Sequence, residues 1–462
     1  MSRTARAALV VAAALLGAGC RCGDEPASAE RGVVRTAYRC SGCNVILISI
    51  DTLRADHLGC YGYPRETSPN IDRLARESLV FDDAISQSSW TTPAHASIFS
   101  GLTPDRHGLV YFRDPGRLDD ELVTMPETLA EAGYRTVGFT GGGYVSGDFG
   151  LGQGFEVYES RSRRFAPNLA AARAWLEEWD AEEPFFMFLH GYDVHRPYDS
   201  SRFNTFVERV EGFEIEEFCT APETRRHPGD EILRYVVAQY DAGIVEVDRL
   251  LGRFFEYLER RGLMDETVLV ITSDHGDEFF EHGGCDHKHS VYRELIHVPL
   301  IVRLPGGVVG RVAPTVPASV GMPATIAGIV GIGDAPGGQE LDLLRVARRG
   351  RYEGPPVESE TGRHLSVLQH WKGVIAGDWK LIYSRDDTRD SRPRRFELYH
   401  REEDPGERSD VLDSNPRVVD EMKGLLFRPG EPVLEPEKPA AGTLTENPDL
   451  LEQLKSLGYL GK

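Results

Sequence analysis

The hydrophobic pattern becomes organised at Asn44. Val45-Ile46-Leu47-Ile48-Ser49-Ile50 is an almost continuous apolar run closed by Asp51, and a run without polar alternation predicts a parallel strand buried on both faces. Three similar runs follow: Thr136-Val137-Gly138-Phe139, Phe185-Phe186-Met187-Phe188-Leu189 and Val268-Leu269-Val270-Ile271. Each is preceded by apolar residues at helical spacing, over 126–132, 168–179 and 230–260. Strand and helix alternating in this way predict an α/β fold with a doubly wound, mostly parallel sheet. Ligands of such sheets lie beyond the carboxyl ends of the strands. Polar residues gather at those ends: the first run leads into Asp51, the third into His190 and His195, the fourth into Asp274-His275. A Gly/Pro-rich zone over 305–338 breaks the pattern. Beyond it, 379–383 and 396–399 read as two strands of a small antiparallel sheet and 447–460 as a closing helix, together a small C-terminal α+β subdomain.

The amino-terminal residues have a different character. Arg3 and Arg6 precede a 12-residue apolar stretch, 7–18, that is too short for the ~30 Å hydrocarbon layer but suits an export signal. It ends at Leu16-Gly17-Ala18-Gly19-Cys20, small residues before a cysteine, similar to a bacterial lipoprotein signal. Residues 1–19 are therefore expected to be a signal, 20–43 a tether, 44–335 the main domain and 336–462 the C-terminal subdomain, with attachment to a membrane through a lipid on Cys20 only. Cys22, Cys40, Cys43, Cys60, Cys219 and Cys285 remain to pair in an oxidising compartment. The Cys40-x-x-Cys43 pair reads as a local disulfide or two inert thiols, since no second such pair completes a zinc site.

Charge narrows the partners. The 462 residues carry 73 acidic against 52 basic side chains, a net −21, which repels nucleic acid and obliges any anionic substrate to meet a local cation. Two segments are dense in metal-ligand types, Asp51-Thr-Leu-Arg-Ala-Asp56 and Ser273-Asp-His-Gly-Asp-Glu278. Together at one sheet edge, two carboxylates and an imidazole can bind one divalent ion; the mixed oxygen and nitrogen set favours manganese- or zinc-like ions and leaves calcium and magnesium open. A third segment, Ser88-Ser-Trp-Thr91-Thr92-Pro93-Ala-His95, reads either as a hydroxyl cap with Thr91 or Thr92 at the helix start and Pro93 in its first turn, or as a nucleophile beside helix N–H groups. Attack on a tetrahedral ester needs an oxygen nucleophile, charge neutralisation and an acid for the leaving group. His195, His287, His95 and Arg54 are the candidates for the cationic contacts, one of the histidines for the proton.

These motifs, in this order, resemble the sulfatase family of the alkaline phosphatase superfamily. The likeness runs from Asn44 to the C-terminus through Asp51–Asp56, Leu58-Gly-Cys-Tyr-Gly62, Thr91-Thr-Pro-Ala-His95, His195-Arg-Pro-Tyr198, Thr272-Ser-Asp-His-Gly276, Glu281-His-Gly283, Trp379-Lys-Leu381 and Glu397-Leu-Tyr399. The resemblance implies metal ligation by Asp51, Asp274 and His275 with Thr91 alongside, and contact of His195 and His287 with the anionic group. It also exposes departures. Thr52 stands where sulfatases usually have a second aspartate, and His287 where many have lysine. Thr91 and His95 occupy the positions of the cysteine or serine that becomes formylglycine and of the arginine four residues on. Threonine is not a substrate for that oxidation. The sequence therefore predicts an exported, metal-dependent hydrolase of sulfate or phosphate esters that uses unmodified Thr91. The alternatives are a sulfatase-like binding protein without turnover, or a phosphodiesterase or phosphotransferase.

Overall fold

Alternate residues of the first strand feed two different cores. In β1 (Asn44–Ile50) Val45 and Leu47 join one buried cluster and Ile46, Ile48 and Ile50 another, as a strand covered on both faces must. Each such fully buried aliphatic side chain contributes about 1.5–3 kcal/mol. The structure, a computed structural model, describes residues 38–112, 116–215, 218–219, 227–333, 335–364, 369–386, 394–427 and 447–456, all within one compact unit. The expected signal, Cys20, Cys22, the tether up to residue 37 and the last turn of the closing helix, 457–460, lie outside the described residues.

The strands that follow are β2 (Leu79–Ile85), β3 (Arg135–Thr140), β4 (Val157–Ser160), β5 (Phe185–Gly191), β6 (Thr267–Thr272), a ribbon of β7 (Glu278–Phe279) and β8 (Cys285–Asp286), then β9 (His297–Val298), β10 (Leu300–Arg303) and β11 (Gly310–Pro317). The main sheet runs β11-β2-β10-β6-β1-β5-β3-β4, with β9 also on β2. Only β9 and β10 run against the rest. One face is covered by α2 (Thr91–Ser100) and α4 (Met125–Glu131), after α1 (Pro69–Ala75) and α3 (Pro104–His107) in the chain; the other by α1, α5 (Phe165–Glu178) and α6 (Asp230–Arg260). Beyond the short α7 (Arg293–Ile296), α8 (Ala318–Val330) and α9 (Leu343–Arg349) complete the α2 face. The expected mostly parallel α/β sheet is present. The Gly/Pro-rich zone, however, does not interrupt it: it supplies edge strand β11 and the buried helix α8, in which Gly321 leaves room for Leu343, whose side chain would lie 2.8 Å from an added Cβ.

The C-terminal sheet has four antiparallel strands, two more than expected: β12 (Val357–His364), β13 (Gln369–Ala376), β14 (Trp379–Asp386) and β15 (Arg394–His400). α10 (Pro416–Leu426) packs on it, and α11 (Pro448–Ser456) returns to the main sheet, where Gln453 Oε1 accepts from Gly143 N–H at 2.8 Å. β12 reaches the main sheet through residues 86–88: Glu360 N–H donates to Gln87 O at 2.8 Å, Ser88 Oγ to Glu360 O at 2.7 Å and Ser359 Oγ to Ser86 O. Cys40–Cys43 and Cys219–Cys285 are disulfides, and Cys60 is a free thiol.

Candidate active site

Because β6, β1 and β5 are adjacent, residues more than two hundred positions apart meet at one sheet edge. Asp51 follows β1, His190 sits at the end of β5, and Asp274 and His275 lie just beyond β6. All four are fully buried. Asp274 Oδ1 accepts from the backbone N–H of His275 at 3.0 Å and of Thr52 at 3.3 Å. Thr52 has φ +58°, a left-handed conformation costly for a β-branched residue, and is held there by Tyr240, whose hydroxyl donates to Thr52 O at 2.7 Å. Its own hydroxyl donates to Asp51 O. Gly276 allows the turn after His275, since a Cβ there would sit 2.1 Å from Glu294 O.

α2 brings the nucleophile candidate. Neither Thr91 nor Thr92 caps the helix as expected: Trp90 is the extended N-cap residue, Thr91 the first helical position and Pro93 the third. That register turns the two hydroxyls apart. Thr91 Oγ1 lies 3.3 Å from Asp51 Oδ2 and 3.4 Å from His275 Nε2, whereas Thr92 Oγ1 donates to Tyr144 O at 2.8 Å. His95, one turn on, donates Nδ1–H to Thr91 O at 2.9 Å and accepts from Ser49 Oγ at Nε2, 3.0 Å. It braces the first turn of α2 and stands 3.7 Å from Asp274 Oδ2.

Two buried carboxylates this close resist carrying two charges. Burial and the Asp274 charge push Asp51 well above the usual carboxylate range. Burial also raises Asp274, but His275, His95 and His190 more than offset it and hold it low. Burial lowers His95 and His275, the latter to about 4. Asp51 Oδ1 and Asp274 Oδ2 have no hydrogen-bond partner among the described residues, although buried polar atoms are nearly always satisfied. Asp51, Asp274 and His275 offer ligand atoms that all lie within 4.8 Å of one another. His275 donates Nδ1–H to Gly276 O at 3.0 Å, which leaves the Nε2 lone pair pointing at the same place, the usual arrangement of a metal-binding imidazole. The residues fit a divalent cation.

Around this centre lies a ring of basic groups. The His275 and His287 rings are 4.3 Å apart and the His287 and His195 rings 5.2 Å. His287 donates Nδ1–H to Asp277 Oδ1 at 2.6 Å, and its Nε2 accepts from Lys288 Nζ at 2.9 Å. Tyr198 OH donates to the other Asp277 oxygen at 2.8 Å. Lys288, buried and with its ammonium disfavoured by burial, was not among the predicted site residues, and Asp277 was named only within the ligand-rich segment 273–278; positive φ at Asp286 and Lys288 turns neighbouring side chains inward. The Cys219–Cys285 disulfide ties down β8, which leads into this turn. Arg54 is not brought to this ring: it donates to both oxygens of Asp56, to Glu281 and to Asp277 O. His282 and His289, both partly buried, pair with Glu294 and Glu278, each at 2.7 Å.

The family model described as Sulfatase matches residues 43–332. The chain belongs to the sulfatase family. An N-acetylglucosamine-6-O-sulfatase of Bacteroides thetaiotaomicron is 22% identical, over 80% of this chain and 82% of that protein. Among solved structures, one in complex with its substrate D-glucosamine-2-N,6-O-disulfate aligns with a TM-score of 0.67 at 19% identity, over 84% of this chain and 97% of that one. The phosphonate monoester hydrolase of Agrobacterium radiobacter gives 0.66 at 19%, over 83% and 95%. These structural likenesses show the fold. As a sulfatase-family chain the protein is an ester hydrolase. Within this sulfatase-family chain the residues at the departing positions are engaged: Thr52 with Asp274, His95 with Thr91 and Ser49, and His287 with the lysine one residue on.

Proposed function

We propose that this sulfatase is an exported, metal-dependent hydrolase of sulfate or phosphate esters in which unmodified Thr91 is the nucleophile. One observation carries the reading: Thr91 Oγ1 lies between Asp51 Oδ2 and His275 Nε2, beside two buried carboxylate oxygens that have no hydrogen-bond partner among the described residues. A divalent ion held by Asp51, Asp274 and His275 would lower the pKa of a neighbouring hydroxyl and offset the charge of the ester. With two carboxylates and a neutral imidazole the ligand set balances a 2+ charge, which supports Mn2+, Ca2+, Mg2+ or Zn2+. Thr91 attacks sulfur or phosphorus from the first turn of α2, whose N–H groups favour an anion. Its proton passes to Asp51 Oδ2, to which it donates, as the bond to the leaving oxygen breaks. Water then cleaves the Thr91 ester so formed and restores the hydroxyl. His195, His287 and Lys288 bind the ester oxygens, and one of the two histidines delivers the proton to the leaving oxygen. The relatives' named substrates support a sulfated sugar as the ester. Export is supported by the short apolar start and by the two disulfides, which suit an oxidising compartment. No helix among the described residues is long and apolar enough to cross a membrane.

The test is a panel of aryl sulfate, phosphate mono- and diester and phosphonate probes with metal-stripped protein and added Mn2+, Ca2+, Mg2+ or Zn2+. Turnover of at least one probe that depends on an added ion is expected. No turnover with any pair would return the chain to a binding role, and metal-independent turnover would remove the cation from the reading.

A further inference from the structure

We propose that His190 is a positioning residue for Asp51, fixing that carboxylate so that Oδ1 is left for the cation. The inference rests on the cation reading above. β1 and β5 pair with Ser49 opposite His190, so the two side chains share a face of the sheet, the one on which α2 lies; two residues earlier in β5, Phe188 meets the rings of His95 and Phe99 from α2. The His190 ring is fully buried and clamped between His95 and Tyr192, with centroids 5.0 and 4.7 Å away. Its tautomer is set by its neighbours. Gly141 N–H donates to Nδ1 at 3.4 Å, which makes Nε2 the protonated nitrogen, and Nε2 faces Asp51 Oδ2 at 3.3 Å. Only glycine permits that approach, because a Cβ on residue 141 would lie 2.5 Å from the Tyr192 ring and 3.2 Å from His190 Nδ1. The second imidazole of this layer, His95, spends both nitrogens on Thr91 O and Ser49. Neither ring is therefore arranged as a ligand, although both lie near Asp274. His190 instead points its one N–H at the same oxygen that the Thr91 hydroxyl addresses, and the unpartnered oxygen of Asp51 is the other one. Such outer hydrogen bonds orient a ligating carboxylate, and their loss typically costs about 10–100-fold in metal affinity or activity.

The experiment compares wild type with His190→Leu, His190→Asn and His190→Gln. Three readouts are taken: Mn2+ dissociation constant by equilibrium dialysis, thermal midpoint of the metal-free protein, and kcat and KM on the best probe. Glutamine carries an amide N–H near the reach of Nε2, asparagine only near that of Nδ1, and leucine none. We expect His190→Leu and His190→Asn to bind Mn2+ about 10–100-fold more weakly and to lose kcat more than KM, while His190→Gln stays within a few-fold of wild type. Wild-type Mn2+ affinity in His190→Leu would overturn the proposal and leave the cation reading standing. Equal losses in all three variants would reduce His190 to packing and overturn it as well. A wild-type protein that binds no divalent ion would sink the cation reading and this inference with it.

Discussion

Charge is buried equally deeply in two parts of this molecule, with opposite consequences. In the C-terminal sheet Lys380 Nζ donates to both oxygens of Glu407 at 2.7 and 2.8 Å, and the Arg293 backbone N–H adds a third bond to the same carboxylate. Nearby, the hydroxyls of Tyr292 and Tyr399 both donate to Glu397 Oε2. At the strand ends of the main sheet, Asp51 and Asp274 each keep one oxygen without any partner among the described residues. Depth therefore does not mark a site. Nor does a single partnerless oxygen, since Glu360 Oε2 in the C-terminal sheet has none among the described residues either. The strand ends differ because two carboxylates that each carry such an oxygen converge with an imidazole, their ligand atoms within 4.8 Å of one another, at a cost in free energy that a structural pair would avoid.

The comparison can be broken most forcefully at Thr91. Thr91→Ala should lower kcat by roughly 10³-fold or more, a loss of about 4 kcal/mol from the barrier, with urea stability nearly unchanged. Thr92→Ala should do the reverse, costing about 1 kcal/mol of stability through its lost bond to Tyr144 and little turnover. Equal activity in the two variants would remove Thr91 from the chemistry. Next in size is Lys380→Met, which leaves Glu407 buried without its cation and should cost about 3–5 kcal/mol while sparing Mn2+ affinity in whatever protein stays folded. A selective loss of metal affinity would mean that the two regions are coupled.

His107 offers a third kind of burial, a neutral group. Burial lowers its pKa to about 4, whereas in the unfolded chain it titrates near 6.5. The unfolded state thus takes up the proton first as the solution is acidified. The stabilisation is complete above pH 6.5 and is lost as pH falls through 4, up to about 3 kcal/mol in all. His107→Gln should flatten that limb of a urea-midpoint against pH curve, and an unaltered slope would assign the limb to other groups. The smallest effect sharpens the contrast best. Asp274→Asn removes the charge that His275, His95 and His190 favour, so the metal-free protein should lose about 1–2 kcal/mol, while bound Mn2+ after dialysis falls to trace. Full metal content in that variant would reject Asp274 as a ligand.

How far the sequence alone led depended on how evenly each element is buried. β1, β3, β5 and β6 were legible because both faces are covered, and so were the metal-ligand candidates that follow β1 and β6. β2 escaped because Asp82 and Asp83 interrupt its apolar run; in the fold they pair with Arg311, Arg293 and Arg401. α8 was hidden by Gly321, Pro323 and Gly328, tolerated because neighbouring elements press close against it. Lys288 looks like any solvated lysine in the sequence, because the alternating φ sign around 286–288 that accompanies its burial is not visible in residue identities. The pairing that satisfies Arg54 was equally a matter of tertiary contact: Asp56 lies two residues away, but Glu281 and the Asp277 carbonyl arrive only with the fold.

The attachment of β12 to residues 86–88 bears on how this protein can be shortened. The segment matched by the family model ends at residue 332, which makes it a natural place to cut when designing a minimal enzyme. A chain ending there would still hold every proposed cation ligand and Thr91. It would, however, lose Ser359 and Glu360, and with them the bonds that hold Ser86, Gln87 and Ser88 three to five residues before the nucleophile. Such a fragment should retain secondary structure while the start of α2 loosens, so for this chain the smallest working unit extends past β12.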